Sequence, residues 1–376
     1  MTSTGALNTA SDKVRVMLVE DSAVIRGMVR RWLENVPGIE VVDSASNGQV
    51  AIDMTRAIKP DIIILDIEMP VMDGLTALPQ ILRAAPDVKV LIASTLSRRN
   101  AEVTLKAMSL GASDFVAKPS FVRDGNDARA QFQEELVRKV TGLAAATGRG
   151  HRDALTFRAA EDWRPVSAAD ARITLRKPSP VTPRVLAIGA STGGPAALAQ
   201  VIEDAKSALG QVPVLIAQHM PPTFTALLGE KLSRIAGLPG GEAVHGEPVV
   251  AGRIYVAPGG QHMRVKSSGS GFAIALDTGP PVNHCRPAVD PLFSSIADAY
   301  STAALAVVLT GMGSDGARGA VEIADAGGTV LVQDEPSSIV WGMPGATATA
   351  GAASAIVGLT DIGDRISRTL CRGGGA

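Results

Sequence analysis

The chain has 376 residues, more than one ordinary hydrophobic core accommodates, so two domains are expected. Its 46% hydrophobic content and formal net charge of −1 describe a soluble, globular protein and exclude a nucleic-acid partner, which would call for a basic balance or a basic, aromatic-rich stretch. No secretion signal opens the chain, no apolar run approaches the roughly 20 residues that cross a bilayer, and Cys285 and Cys371, the only cysteines, stand in no metal-ligand spacing, so a cytoplasmic, disulfide-free protein without membrane insertion is expected.

Short β-branched runs alternate with amphipathic ones from Val14 onward. Strands are predicted at Val14–Val19, Ile39–Ser44, Asp61–Leu65, Val88–Ala93 and Asp114–Ala117, and helices at Ala23–Glu34, Gln49–Ile58, after Gly74, around Ala101–Leu110 and at Gln131–Val140. This strict alternation argues for a doubly wound parallel sheet with five β/α units. Pro79 is expected to kink the helix after Gly74 or delay its start. Composition changes near Thr141: scattered arginines and Lys-Pro-Ser-Pro-Val-Thr-Pro, up to Pro183, read as an exposed linker, extended where proline is dense.

Alternation then resumes. Strands are predicted at Val185–Ile188, Val212–Ala217, Ile254–Ala257, Phe272–Leu276 and Leu305–Leu309, with Thr329–Gln333 as the final core strand. Helices are predicted at Ala196–Ala205, Pro222–Ile235, Val289–Tyr300 and Gly319–Ala326. The organisation is therefore a domain over 13–135, a linker over 136–180, and a three-layer α/β domain with a mostly parallel sheet over 181–374.

In an open parallel sheet, functional groups gather at the carboxyl ends of the strands. Glu20 and Asp21 end the first strand, Asp66 the third and Ser94 the fourth, and Lys118 follows the fifth. Three carboxylates make a hard-oxygen site suited to Mg²⁺. The ion would offset repulsion between Asp66 and an incoming phosphoryl group, which Lys118 would pair with and Ser94 would hydrogen-bond.

This set, with Met69-Pro70-Val71-Met72-Asp73-Gly74 after the aspartate and Lys118-Pro119, resembles a response-regulator receiver domain over about residues 13 to 135. The resemblance implies phosphorylation at Asp66 and metal ligation by Glu20, Asp21, Asp66 and the Glu68 carbonyl. It implies a switch hydroxyl at Ser94, with Thr95 as a rival, and Phe115 as the aromatic that moves with it. Glu20 replaces the commoner aspartate but still supplies a carboxylate.

The second domain carries Gly189-Ala190-Ser191-Thr192-Gly193 between a buried strand and a helix. Gly-x-Ser-x-Gly in that setting is a nucleophile-elbow pattern, while a glycine-rich strand-to-helix turn can also cradle a nucleotide phosphate or be no more than a tight turn. A serine nucleophile needs a base. Of five histidines, His219 alone follows a buried strand directly and so shares a rim with Ser191. Asp315, in Thr310-Gly311-Met312-Gly313-Ser314-Asp315-Gly316, is the carboxylate expected to orient it. Cys285 beside His284 is disfavoured as a nucleophile, since adjacent side chains on extended backbone point to opposite faces.

Gly-Ala-Ser-Thr-Gly-Gly-Pro, Gln-His-Met-Pro, His-Cys-Arg-Pro-Ala-Val-Asp and Thr-Gly-Met-Gly-Ser-Asp-Gly together resemble the methylesterase domain of chemotaxis response regulators. The resemblance implies a cytoplasmic protein-glutamate methylesterase that hydrolyses glutamate γ-methyl esters and deamidates certain glutamines on chemoreceptor helices. Ser191, His219 and Asp315 would be catalytic, with amides near Thr192 and Met312 as the oxyanion hole and no cofactor in this domain. A sensor histidine kinase would be the phosphodonor, and the unphosphorylated receiver would act as an inhibitory lid. The competing readings are a receiver joined to a nucleotide-binding or scaffolding module, and a phosphorylation-controlled DNA binder, against which the missing basic recognition helix speaks.

Overall fold

The computed structural model describes residues 13–119, 125–147 and 173–371. Much of the segment assigned to the linker, 148–172, lies outside them. The described residues divide into two compact units. The first holds residues up to Ser94 and those from Phe115 to 147, and the second holds Thr95–Asp114 and the residues from 173 onward.

Strands β1 (Val14–Val19), β2 (Ile39–Ala45), β3 (Ile62–Asp66), β4 (Lys89–Thr95) and β5 (Asp114–Lys118) stand in the order β2-β1-β3-β4-β5. The β1–β2, β1–β3 and β3–β4 pairings are parallel. Helices α1 (Ala23–Glu34), α2 (Gly48–Ile58), α3 (Gly74–Ala84), α4 (Arg98–Ser109) and α5 (Gly125–Ala146) complete the alternation. The first four start where short polar side chains satisfy an orphan amide: Ser22 accepts from Ile25 N–H, Asn47 from Val50, Asp73 from Thr76 and Ser97 from Asn100.

Two expectations shift here. Pro79 lies inside α3 without delaying its start; the Leu75 carbonyl, whose helical donor proline cannot supply, lies in the first turn, and the Asp73 cap holds that end. Helix α5 runs to Ala146, into the segment read as linker.

The second unit is built on β6 (Val185–Ala190), β7 (Val214–Gln218), β8 (Gly240–Glu242), β9 (Ile254–Val256), β12 (Ala304–Val308), β13 (Thr329–Gln333) and β14 (Ala355–Val357), in the order β14-β13-β12-β6-β7-β9-β8. Every pairing in this sheet is parallel. Strands β10 (His262–Ser268) and β11 (Gly271–Asp277) form a separate antiparallel hairpin. Helices α6 (Gly194–Leu209), α7 (Phe224–Ala236) and α11 (Leu359–Leu370) pack together, and α8 (Val289–Tyr300), α9 (Ala317–Asp325) and α10 (Gly342–Thr349) form a second group. A core that includes Tyr255, Phe293 and Leu215 packs the second group against the sheet.

Strand β13 is not the last, because β14 adds an edge beyond it. Several strands and helices are not assigned by patterning. Gly-Gly-Glu at β8 and Gly-Met-Pro-Gly at the start of α10 read as turns, and β14 is only three residues long; β10 and α11 are also unassigned.

Strand β6 has β7 on one side and β12 on the other, so the chain winds outward in opposite directions from this point. The loops after these strands flank the crevice where open α/β sheets place their ligands.

Gly74 closes the loop after β3 onto Asp66. A Cβ there would stand 2.0 Å from the Asp66 carbonyl oxygen, and the Gly74 N–H already bonds to the Ile67 carbonyl. Gly74→Ala is expected to destabilise the first unit by roughly 1–3 kcal/mol, seen as an earlier urea transition and faster amide exchange in β3; an unchanged transition would contradict this packing.

Candidate functional site

At the carboxyl edge of the first sheet, Glu20, Asp21 and Asp66 bring ligand oxygens within 4.8 Å of one another. Glu20 and Asp66 are buried and Asp21 is exposed. The Lys118 ammonium lies 2.7 Å from Asp66 Oδ1 and 3.1 Å from Glu20 Oε2. One lysine does not balance three carboxylates. Burial raises the pKa of Asp66 despite the Lys118 charge and the Ile67 and Glu68 amides, and burial raises that of Glu20 as well, with the Asp66 charge adding to it.

An all-oxygen, under-neutralised donor set of this kind fits a hard divalent cation such as Mg²⁺. Glu68 contributes its amide to Asp66 here. The Ser94 hydroxyl is buried with no hydrogen-bond partner among the described residues, whereas Thr95 Oγ1 accepts from the Asn100 side chain. Ser94 is thus the hydroxyl left open at this edge. Phe115 is buried under the Lys139 ammonium, 4.9 Å from its ring centroid.

At the carboxyl edge of the second sheet, Ser191 follows β6, His219 follows β7, and the loop carrying Met312 and Asp315 follows β12. Gly193, at φ 79°, turns the chain into α6 immediately after Ser191 and Thr192. Gly311 lets the β12 loop approach that elbow, since a Cβ at this position would sit 2.8 Å from the Ser191 Cβ. The backbone N–H groups of Thr192 and Met312, both in buried residues, make no hydrogen bond among the described residues. They are therefore available to an oxygen bound next to Ser191.

His219 Nε2 lies 2.7 Å from Asp315 Oδ2. A carboxylate only accepts, so Nε2 carries the proton and Nδ1 is left as the basic nitrogen. Asp315 is buried and takes three further donors: Val289 N–H at 2.5 Å, Asp290 N–H at 3.1 Å and Asn283 Nδ2 at 2.9 Å. Burial alone would raise its pKa; the His219 hydrogen bond and charge, with the Val289 and Asn283 donors, hold it below the usual carboxylate value. Asp290 accepts from the Gly319 N–H.

Ser191 Oγ makes no hydrogen bond among the described residues. Nδ1 of His219 instead faces Cys285 Sγ at 3.3 Å. Hydrogen bonds of a nucleophile to its base commonly tighten only when substrate is bound.

Patterning missed this role for Cys285, because the backbone is not extended there. Asn283 and His284 have φ of 50° and 62°, so the thiol turns inward and His284 outward. Asn283 was missed too, and no local signal marks it. Of the other histidines, His262 is buried between the Pro280 carbonyl and the Ala288 N–H, and His245 is exposed.

A parallel α/β sheet with a serine elbow, an Asp–His pair and two unclaimed amides at its switch point defines a hydrolase-type site, preceded by a five-stranded β/α fold with a carboxylate cluster at its strand ends. Residues 186–366 match the family model described as CheB methylesterase, and residues 16–128 the response regulator receiver domain.

A protein-glutamate methylesterase/protein-glutamine glutaminase from Rhodopseudomonas palustris is 48% identical, over 96% of this chain and 95% of its own. One from Azospirillum brasilense is 46% identical, over 98% and 95%. The crystal structure of the Thermotoga maritima CheB methylesterase catalytic domain is 35% identical, covers 50% of this chain and 99% of its own, and gives a TM-score of 0.48. The chain belongs to the receiver-linked protein-glutamate methylesterase/protein-glutamine glutaminase family.

The environment of Asp315 has a measurable consequence. Its folded pKa is depressed, so its stabilisation is complete above the unfolded value, about 3.9, and is lost as pH falls through the folded value. Asp315→Asn is expected to lower stability at neutral pH by about 2–4 kcal/mol and to flatten the acid side of the stability curve. Chemical denaturation across that pH range checks both; an unaltered acid slope would show that Asp315 is not so held.

Proposed function

We propose that the protein is a phosphorylation-controlled serine hydrolase that removes methyl groups from glutamate γ-methyl esters, and deamidates certain glutamines, on the cytoplasmic helices of chemoreceptors. The observation that carries this reading is the buried Asp315–His219 pair on the same rim as Ser191 and the two unclaimed amides.

In the reaction Ser191 Oγ attacks the ester carbonyl carbon as His219 Nδ1 takes its proton. Asp315 keeps the imidazole in the Nε2–H tautomer and stabilises the imidazolium. The tetrahedral oxyanion lies against the Thr192 and Met312 N–H groups, where losing one donor would raise the barrier by roughly 3–4 kcal/mol. The imidazolium protonates the leaving methoxide, methanol departs, and water repeats the attack on the acyl-enzyme. A primary amide follows the same path with ammonia as leaving group, so both activities fit one site.

In the receiver, Mg²⁺ would be held by Glu20, Asp21, Asp66 and the Glu68 carbonyl. When bound, it supplies the positive charge that lets a carboxylate accept a phosphoryl group. Asp66 accepts that group from a sensor histidine kinase, Lys118 pairs with it, and Ser94 donates its unpartnered hydroxyl to it. These steps belong in the cytoplasm; among the described residues no helix is long and apolar enough to cross a membrane.

Ser191→Ala should fold normally yet release no methanol from methylated receptor, because the attacking oxygen is gone. Substantial turnover by this variant would remove Ser191 from the mechanism. His219→Gln should lose most activity, while His245→Gln retains a large part of it.

Control by the receiver is tested separately. Asp66→Asn should abolish activation by small phosphodonors and leave a low basal rate. A chain starting near Pro180 should exceed the basal rate of the full chain without phosphodonor. A folded truncated chain no faster than the unphosphorylated full chain would mean that the receiver does not restrain the enzyme.

A further inference from the structure

The turn at Val282–Cys285 is tied off by two backbone hydrogen bonds, Val282 N–H to the Cys285 carbonyl at 3.1 Å and Cys285 N–H to the Val282 carbonyl at 2.9 Å. Both central residues, Asn283 and His284, adopt positive φ without being glycine. That backbone costs roughly 1–2 kcal/mol per residue, and it delivers two side chains to one place. Asn283 Nδ2 donates to Asp315 Oδ1 at 2.9 Å and reaches Asp290 Oδ2 at 3.2 Å. Cys285 Sγ reaches His219 Nδ1 at 3.3 Å. A single turn therefore holds both members of the acid–base pair, and it holds His219 by the nitrogen opposite Asp315.

That nitrogen is the one the reaction requires. With Nε2 committed to Asp315, only Nδ1 can take the proton of Ser191. In the structure the neighbour on Nδ1 is a thiol, and a thiol next to an imidazole readily gives up its proton to it.

We propose that Cys285 is a positioning residue for the reaction: its sulfur holds Nδ1 of His219 in place as a thiolate–imidazolium pair and sets the pH above which that nitrogen can accept the proton of Ser191. This rests on the assignment of Ser191 and His219 made above. The proton count closes. Above that pH the Nδ1 proton passes to water, leaving the thiolate beside a neutral imidazole with a free Nδ1 lone pair, and Nδ1 then takes the hydroxyl proton of Ser191 as its oxygen attacks.

The charges around His219 are few. Asp315 and Cys285 face it directly, and Asp290 lies one step further through Asn283, with Arg318 Nε 3.7 Å from it. Arg286 points away, to the Thr278 and Gly279 carbonyls. Burial lowers the His219 pKa, but the Cys285 charge, the Asp315 hydrogen bond and the Asp315 charge more than offset this, so the net shift is upward.

The first test needs no substrate. Iodoacetamide alkylation of the full chain is followed by mass spectrometry at Cys285 and Cys371 as a function of pH, with exposed Cys371 as the internal reference. The rate at Cys285 should reach half its plateau well below the ordinary thiol value of about 8.5, and in His219→Gln that midpoint should move up toward that of Cys371. Identical midpoints at the two cysteines, or no movement in His219→Gln, would overturn the proposal.

The second test is the pH profile of kcat for methanol release. Cys285→Ala and Cys285→Ser both lack the thiolate, so the acid limb of both should move to lower pH. Cys285→Ala, which also loses the contact that holds the ring, should fall about tenfold at the plateau, equivalent to about 1.4 kcal/mol, and Cys285→Ser should recover most of that fall. A wild-type acid limb in both variants would overturn the proposal while leaving Ser191 and His219 in their roles. Loss of all turnover in both Cys285 variants, with Ser191→Ala still active, would instead make Cys285 the nucleophile and overturn the assignment of Ser191 as well.

Discussion

The Asp315 carboxylate is the point from which the rest of the hydrolytic centre is arranged. It accepts from the first amides of α8, from Asn283 in the turn before that helix, and from His219 at the end of β7. The amino-terminal dipole of α8 and these donors make it favourable to keep a charge buried there. Residues adjacent in neither sequence nor sheet are thereby brought within one hydrogen-bond length of a common group.

The arrangement is reciprocal. Asp315, just before α9, satisfies amides at the start of α8, which has no side-chain cap of its own at Ala288. Asp290, in the first turn of α8, satisfies the Gly319 N–H in the first turn of α9. Each helix start is closed by a carboxylate from the other, so the carboxylate that holds His219 also serves as a structural cap. Its position is consequently fixed before any substrate arrives, which is the condition for electrostatic preorganisation.

The two sites treat buried charge in opposite ways. Asp315 is fully compensated by donors and stays ionised. Glu20 and Asp66 share one lysine, and burial raises the pKa of both despite its charge. A shared lysine suits a site that gains its cation and phosphoryl group from outside, while full compensation suits a group that must stay still.

Much of this was legible in the chain itself. Strand-end residues such as Asp66, Ser191 and His219 stand out because a buried parallel strand is a continuous apolar run, and the polar residues that end it lie at the rim. The helices at Ala23–Glu34 and Gln49–Ile58 were marked by apolar residues at helical spacing, and α1 and α2 stand within a residue of those bounds. Those features depend on residues a few positions apart, and local chemistry determines them. The roles of Asn283 and Cys285, the partnership of Asp290 with α9, the choice of Ser94 over Thr95 as the open hydroxyl, and the edge strand β14 carry no comparable signal. Each depends on a partner far along the chain or on a left-handed backbone at non-glycine residues, and only the packing of distant segments against one another decides which polar atoms are met and which are left open.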